Sequence, residues 1–138
     1  MDEIDKQIIG MLLEDSSRPN VDVAKCVNLS EASVRKRVRK LIERGVIRKF
    51  TLELGEEMSP VSALVFVAVN ANRSASEIVR KVKEIAGVGR VFEITGEYDV
   101  AAFVSARSLE EMNKSVDLIR KIQYVKNTDT KMVLKSWE

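Results

Sequence analysis

The sequence predicts an α+β protein with an N-terminal helix-turn-helix (winged-helix-like) domain followed by a C-terminal βαββαβ ferredoxin-like domain. Apolar residues recur with a helical period through the first 45 residues and with the alternating period of strands soon afterwards. The second half then contains the order strand, helix, strand twice in succession. We therefore expect one domain in residues 1–50, a strand and linker in residues 51–60, and a second domain in residues 61–138.

Composition excludes several classes of protein. The 138 residues are 45% hydrophobic and 32% charged, which suits a globular chain with a buried core. The longest apolar runs, such as residues 63–69, are shorter than the roughly 20 residues of a membrane helix, and the first residues lack the features of a signal peptide. We therefore expect a cytoplasmic protein.

The chemistry of metals, disulfides and acid-base catalysis has few candidate residues here. The single cysteine, Cys26, excludes an internal disulfide, and its place in the second predicted helix indicates a small core residue. Because the chain has no histidine, the commonest metal ligand and general base are missing. We predict no metal site, no cofactor and no catalytic residues.

The first two predicted helices are short. Residues 2–15 place four apolar residues on one helical face: Ile4, Ile8, Met11 and Leu12. Asn20 is expected to cap a second helix, whose inward residues would be Val23, Ala24 and Val27. Asn28 is the expected left-handed stop, because asparagine tolerates a positive φ better than most residues.

A third helix is predicted from the cap Ser30 to Gly45 as its C-terminal stop. Its inward face would hold Val34, Val38, Leu41 and Ile42. The opposite face would hold Ala32, Lys36, Arg39, Lys40 and Glu43, with Ser33 and Arg35 on its flanks and Arg37 and Arg44 nearer the core.

The charge of this third helix suggests its partner. Residues 30–50 contain eight basic and two acidic side chains, whereas twelve of each are found from residue 55 onward. Two helices joined by a tight turn, with a basic outward face on the second, are typical of insertion into the DNA major groove. The predicted contacts are Ser30, Ala32, Ser33, Arg35, Lys36, Arg39 and Lys40. The alternative at this point is a solvated charged helix in a bundle.

After the third helix, the apolar spacing changes. Phe50, Leu52 and Leu54 alternate, which predicts a strand over residues 46–54. The loop chemistry of residues 55–60 then marks the boundary between the two domains.

The second half repeats one pattern. Strands are predicted at residues 63–69, 88–95, 99–105 and about 125–134, with capping boxes at Ser74–Glu77 and Ser108–Glu111 opening the two helices. Both helices are expected on one face of the sheet. The other face would carry Val65, Val67 and Val69 or their alternates, which are too apolar for water, so association is expected.

Four segments of the chain together carry a family resemblance, namely Asp2–Ile9, Asp15–Arg18, Leu29–Val38 with Leu41 and Gly45–Ile47, and the turn Thr95–Asp99. With these segments, the chain resembles the Lrp/AsnC (leucine-responsive, feast-famine) family of transcription regulators over essentially its whole length. The chain departs from the family pattern at Asn28, where glycine is usual, at Tyr124, which replaces a frequent glycine before the last strand, and in its short acidic linker.

The resemblance implies a homodimer built through the C-terminal domain, assembly into octamers, pseudo-palindromic double-stranded DNA as partner, and a small amino acid as effector. The effector site it implies comprises Thr95, Gly96, Glu97, Tyr98 and Asp99, with Thr128 and Thr130 across the sheet. The chemistry is suitable, because a zwitterion needs an anion such as Asp99 for its ammonium group. Turn formation and packing are the alternative roles for these residues.

Two other functions compete with DNA binding for this sequence. An enzyme is disfavoured, since the sequence has no histidine, no phosphate-binding glycine loop and no nucleophile-elbow pattern. The second rival is a metabolite-sensing oligomer whose N-terminal helices dock a protein instead of DNA. The dependence of affinity on salt separates DNA binding from this second rival. DNA binding that neutralises several phosphates weakens steeply between about 50 and 200 mM salt, whereas an apolar docking surface does not.

Overall fold

The computed structural model of the chain describes residues 1–53, 55, 57–58 and 61–137, and the chain divides into two compact units, Met1–Glu53 and Leu54–Glu138. The first unit contains three helices, and the second contains a four-stranded sheet with two helices. The predicted α+β class is therefore confirmed. Among the helices in the described ranges, none is long and apolar enough to cross a membrane.

The helices of the first unit are α1 (Glu3–Glu14), α2 (Asn20–Val27) and α3 (Glu31–Glu43). Their inward residues form one core, whose buried members are Ile8, Val23, Ala24, Val27 and Val34. Asn28 has a φ of 55° in the left-handed region, which confirms it as the stop between α2 and α3. The chain reverses there within a few residues, so α3 packs against α2.

Three expectations for this unit were wrong. Cys26 is exposed, because the inward arc of α2 is occupied by Val23, Ala24 and Val27. Ile42 is 45% exposed, since it lies at the edge of the buried face of α3. Asn20 is already the first helical residue, so it lacks the extended backbone of a cap, and Pro19 takes the capping position without a side-chain bond.

The predicted strand over residues 46–54 is absent from its described part, residues 46–53, which has neither helix nor strand. A strand exists only when a neighbour accepts and donates its backbone hydrogen bonds, and these residues have no strand neighbour in the described chain. Leu54 lies outside the described residues, as do Glu56, Ser59 and Pro60 of the predicted linker. Within that linker, the Met58 amide donates to the Gly55 carbonyl at 3.0 Å.

The second unit contains β1 (Val61–Val69), α4 (Ala75–Lys83), β2 (Val88–Glu93), β3 (Val100–Ala106), α5 (Leu109–Arg120) and β4 (Val125–Met132). The strand order is β2-β3-β1-β4, and every neighbouring pair is antiparallel. This is the predicted ferredoxin-like arrangement. The observed strands end within about two residues of their predicted limits, as expected for boundaries read from periodicity.

One face of the sheet is covered by α4 and α5. On this face, here called the helix face, Val65 and Val67 of β1 are buried with Ile78 of α4 and Ile119 of α5. The other face, here called the open face, therefore carries the residues that alternate with these valines along β1. Periodicity alone had left open which of the two alternating sets faces the helices.

The two predicted capping boxes differ. Ser108 accepts a hydrogen bond from the Glu111 amide at 3.2 Å, while the Glu111 carboxylate accepts one from the Arg107 amide at 3.0 Å. Ser74 occupies the capping position of α4 but makes no cap bond, because its hydroxyl lies 2.5 Å from that of Ser76 instead. The predicted box at Ser74 was therefore wrong. The box at Ser108 forms, except that the Glu111 carboxylate binds the amide of Arg107, one residue before the capping residue.

Candidate nucleic-acid interface and ligand site

Local chemistry sets both ends of α3. The Ser30 hydroxyl accepts a hydrogen bond from the Ser33 amide at 3.2 Å, as the predicted cap requires. At the other end, Gly45 has a φ of 70° and donates from its amide to the Ile42 carbonyl at 2.9 Å. Val34 and Leu41 anchor the helix in the core, so the direction of its outward face is fixed.

The residues predicted to contact DNA lie on one surface. Those fully on the outward side are exposed, namely Ser30, Ala32, Arg35, Lys36, Arg39 and Lys40, and Ser33 is half-buried on the flank. Lys36 and Arg39 line a shallow cavity of about 490 Å³ together with Arg35. The structure thus brings the predicted set together.

The basic side chains of this surface are not equivalent. Arg35 forms an ion pair with Glu31 one helical turn earlier, and both side chains are largely exposed. Lys36, Arg39 and Lys40 take part in none of the ion pairs found within the described residues. Three cations are therefore left to attract an anionic partner, and they lie on a helix whose diameter of about 10–12 Å suits a major groove about 12 Å wide.

Arg37 has a different role, which sequence reasoning missed. Its guanidinium donates to a carboxylate oxygen of Asp2 and to one of Asp5, each at 2.7 Å. Asp2 and Asp5 also form a capping box at the start of α1. The signal was present in the sequence, because Asp-x-x-Asp before an apolar run has the spacing of such a box.

The Arg37 cluster alters the titration of both carboxyls. The hydrogen bond from the Asp5 amide, followed by that from Arg37, lowers the pKa of Asp2 below 3.8. The hydrogen bond from Arg37 is the largest cause that lowers the pKa of Asp5. Both groups are therefore held ionised, so that α1 and α3 remain linked by charge over the ordinary pH range.

The turn between β2 and β3 contains the five consecutive residues of the predicted effector site. Thr95, Gly96 and Glu97 are exposed, whereas Tyr98 and Asp99 are half-buried. The Ile94 amide donates to the Asp99 carbonyl at 2.9 Å and closes the turn, and Gly96 adopts a φ of 113° that favours glycine.

Asp99 also binds the neighbouring strand. Its Oδ2 accepts a hydrogen bond from the Val69 amide at 2.7 Å, and its own amide donates to the Val67 carbonyl at 2.9 Å. The register of β1 with β4 shifts between Ala68 and Val69, at this contact. Asp99 therefore supports the end of β1, whatever else it binds.

Tyr98 lies beside the open face of the sheet. Its ring centroid is 5.7 Å from that of Phe66, whose register partner on β4 is Asp129. Burial, followed by the negative charges of Asp129 and Glu97, raises the pKa of Tyr98 above 10.0. Asp129 in turn lies 2.8 Å from the Lys131 ammonium. Alternation along β4 was the signal for Asp129 and Lys131, which sequence reasoning did not select.

Thr128 and Thr130 lie on the opposite side of the sheet from Tyr98. They pair with Val67 and Val65 respectively, and directly paired residues of antiparallel strands share a face. Thr128 accepts a hydrogen bond from Arg120 Nε at 3.1 Å. The Thr130 hydroxyl is buried without a hydrogen-bond partner in the part of the chain that is described.

A three-helix unit whose third helix exposes Lys36, Arg39 and Lys40, followed by a ferredoxin-like unit, is typical of a two-domain DNA-binding regulator. Comparison with known families agrees. Residues 1–42 match the AsnC-type helix-turn-helix domain, and residues 62–138 match the Lrp/AsnC ligand binding domain. The chain belongs to the Lrp/AsnC family, and it is a transcription regulator with a DNA-binding and a ligand-binding domain, not an enzyme.

Individual relatives agree along the whole chain. The HTH-type transcriptional regulator LysM of Sulfurisphaera tokodaii is 38% identical over 99% of this chain and 97% of the relative. The regulator FL11 of Pyrococcus horikoshii is 36% identical over 99% of this chain and 91% of its own length.

Solved structures are similar in fold. LrpC of Bacillus subtilis superposes with a TM-score of 0.79 at 26% identity, covering 100% of this chain and 97% of that one. A transcriptional regulator from Neisseria meningitidis, solved as a complex with L-Met, has a TM-score of 0.85 at 23% identity, covering 100% of this chain and 92% of the other.

Proposed function

We propose that this regulator acts as a homodimer that inserts α3 of each subunit into the major groove of double-stranded DNA, and that an amino acid bound at residues 95–99 modulates it. The observation that carries the DNA part is the row of exposed cations Lys36, Arg39 and Lys40, which lack ion-pair partners among the described residues. Lysine and arginine recognise phosphates and guanine edges, whereas an apolar docking helix would not need them.

The contact residues follow from the outward direction of α3. Lys36, Arg39 and Lys40 are exposed on the side of α3 away from the core, and Arg35 joins them once its exposed pair with Glu31 opens. The small residues Ser30, Ala32 and Ser33 at the start of the helix let its backbone approach the DNA closely. Some of these residues contact base edges and others contact phosphates.

Dimerisation is supported by the open face of the sheet. Leu64, Phe92 and Phe103 are exposed there by 39%, 51% and 38% respectively, and Phe66 of β1 lies on the same face. An apolar patch of this kind is stabilised by covering it with an identical patch. A dimer also places two copies of α3 on half-sites about 34 Å apart. Assembly of such dimers into octamers is the further step that family membership supports.

The effector site is proposed at Thr95, Gly96, Glu97, Tyr98 and Asp99, with Thr128 and Thr130 of β4. Asp99 supplies the anion for an ammonium group, and exposed amides of the turn supply donors for a carboxylate. The L-Met complex of the structural neighbour supports an amino acid as the ligand class. Because Thr128 and Thr130 face α5 rather than Tyr98, we expect their substitution to have smaller effects.

One experiment tests both parts. Duplexes bound by the full-length protein are selected from a random pool at physiological salt, with and without a mixture of the twenty amino acids. The proposal requires enrichment of a pseudo-palindromic sequence and a change of affinity or of selected sequence when amino acids are added. Failure to enrich any sequence overturns the DNA part, and identical results with and without amino acids overturn the effector part.

A further inference from the structure

A second concave surface lies beside the outward face of α3. It occupies the space between the beginning of α1 and the flank of α3, with a volume of about 570 Å³. Its lining residues include Ser33, Lys36, Arg37, Lys40 and Arg44 of α3 and its cap, with Asp2 and Asp5 opposite them. This surface is named the α1–α3 cleft. It includes Arg44, which is not among the predicted DNA contacts.

The cleft has a surplus of positive charge at a particular place. Both carboxylates of the cleft are taken by Arg37 at 2.7 Å. Lys40 and Arg44 are exposed and take part in none of the ion pairs between described residues. They are four residues apart, hence neighbours on the surface of a helix. The cleft therefore presents two adjacent cations beside the Arg37 cluster, and its lining has four basic side chains against two carboxylates.

The position of these cations relative to the outward face of α3 indicates which part of the DNA they contact. In an α-helix, residue 44 lies about 80° from residue 36 around the axis, on the side of α1. A helix about 10–12 Å wide fills a major groove about 12 Å wide, so its outward face meets base edges on the floor of the groove. Its flanks meet the rows of phosphates that border the groove.

We propose that the α1–α3 cleft binds one phosphate of the DNA backbone through Lys40 and Arg44. Arg44 holds it with a charge-assisted hydrogen bond from its guanidinium, and Lys40 holds it as a point charge. Arg37 is a positioning residue, because its pairs with Asp2 and Asp5 keep α1 against α3 and form the wall of the cleft. This inference rests on the proposed insertion of α3 into DNA, and it assigns Arg44, which sequence reasoning placed near the core.

The test compares binding by full-length wild type, Arg44→Gln and Arg44→Lys to the selected operator and to an unrelated duplex between about 50 and 200 mM salt. Lys6→Gln is the matched control, since Lys6 is an exposed cation of α1 that does not line the cleft. We expect Arg44→Gln to weaken binding to both duplexes about tenfold and to reduce the slope of log affinity against log salt by about 1. Arg44→Lys should restore most of the slope, and Lys6→Gln should leave it unchanged.

Two outcomes overturn the assignment. An unchanged salt slope in Arg44→Gln shows that Arg44 contacts no phosphate, and a loss confined to the operator shows that it reads a base. A scan of single methylphosphonates along the operator locates the phosphate, since one neutral linkage should weaken wild type more than Arg44→Gln, in which only Lys40 still contacts it. If wild type itself shows no salt-dependent binding to any duplex, the DNA proposal fails instead, so that the two failures are distinguishable.

Discussion

The guanidinium of Arg37 on α3 lies 2.7 Å from a carboxylate oxygen of Asp5 on α1. The Asp5 side chain is only 12% exposed, so this pair is better shielded than the other ion pairs of the first unit. It joins the first helix to the helix that faces DNA, at a distance of 32 residues along the chain. The positive charge of Arg37 thus stabilises the packing of α1 on α3, although Arg37 lies within a basic segment.

The first prediction concerns acid stability. Because the folded-state pKa of Asp5 lies below its usual 3.8, the pair stabilises the fold above about pH 3.8 and its contribution is lost as the pH falls through the lowered pKa. Arg37→Gln should lower the melting temperature by several degrees at pH 7, and the difference from wild type should shrink below pH 3.8. Thermal unfolding between pH 7 and pH 2.5 measures this. Arg35→Gln, which removes an exposed pair, serves as control, and an equal loss at every pH would contradict the linkage.

The second prediction concerns two glycines. A Cβ at Gly87, whose φ is +85°, would lie 2.5 Å from the Ser105 carbonyl oxygen. Gly87→Ala should therefore destabilise the second unit by about 2–4 kcal/mol. Gly10 lies within α1 with open space around it, so Gly10→Ala should stabilise the first unit by about 0.5–1 kcal/mol. Denaturant unfolding measures both, and a neutral Gly87→Ala would show that the close approach relaxes without cost.

The third prediction concerns the outward face of α3. Lys36→Ala combined with Arg39→Ala should weaken binding to the operator by about 100-fold, since each contact contributes about tenfold. Lys81→Ala combined with Lys83→Ala on α4 removes the same charge from the other unit and should have little effect. Fluorescence anisotropy gives both affinities. Equal effects of the two double variants would show that only net charge matters.

The fourth prediction concerns the open face of the sheet. Phe103 is the register partner of Leu64 in the middle of this face, and Phe103→Lys should weaken dimerisation about 100-fold by placing a charge in the interface. Leu118→Lys on the exposed side of α5 is the control, because Leu118 is 51% exposed but lies away from the open face. Sedimentation equilibrium measures the dimer. Dissociation by Leu118→Lys alone would place the interface on the helices.

The fifth prediction separates the two roles of Asp99. Asn can still accept the hydrogen bond from the Val69 amide but carries no charge, so Asp99→Asn should keep its melting temperature and lose the thermal shift that an amino acid causes. For wild type, a ligand at 100 times its Kd stabilises by about 2.7 kcal/mol. Asp117→Asn is the control, because the Asp117 side chain is exposed on the outer side of α5, and this variant should respond to the amino acid as wild type does. A full response from Asp99→Asn would place the ammonium elsewhere.

Periodicity and cap chemistry were sufficient for most of the fold. Residues such as Asn28 and Gly45 stop helices because of their own backbone preferences, which are local and readable. The apolar spacing of α3 was enough to place Lys36 and Arg39 outward. These features depend on neighbours within one or two turns of the chain.

Alternation gives a strand two faces but does not say which face a helix will cover. The family resemblance grouped Thr128 and Thr130 with Tyr98, but their side chains point to the helix face, whereas Asp129 shares the side of Tyr98. Residues 46–53 show the related difficulty, because alternation marks a segment suited to a strand but cannot supply the neighbour it needs.

The sequence by itself determined the two domains, the order of the helices and of the four paired strands, and the basic outward face of α3, since each depends on composition and spacing along the chain. Only the tertiary structure decided which charges are available. Arg37 is taken by Asp2 and Asp5, which are more than 30 residues away, while Arg44 is left exposed at the mouth of a cleft. Partners so distant in sequence meet only after the helices pack, and hence no local pattern predicts them.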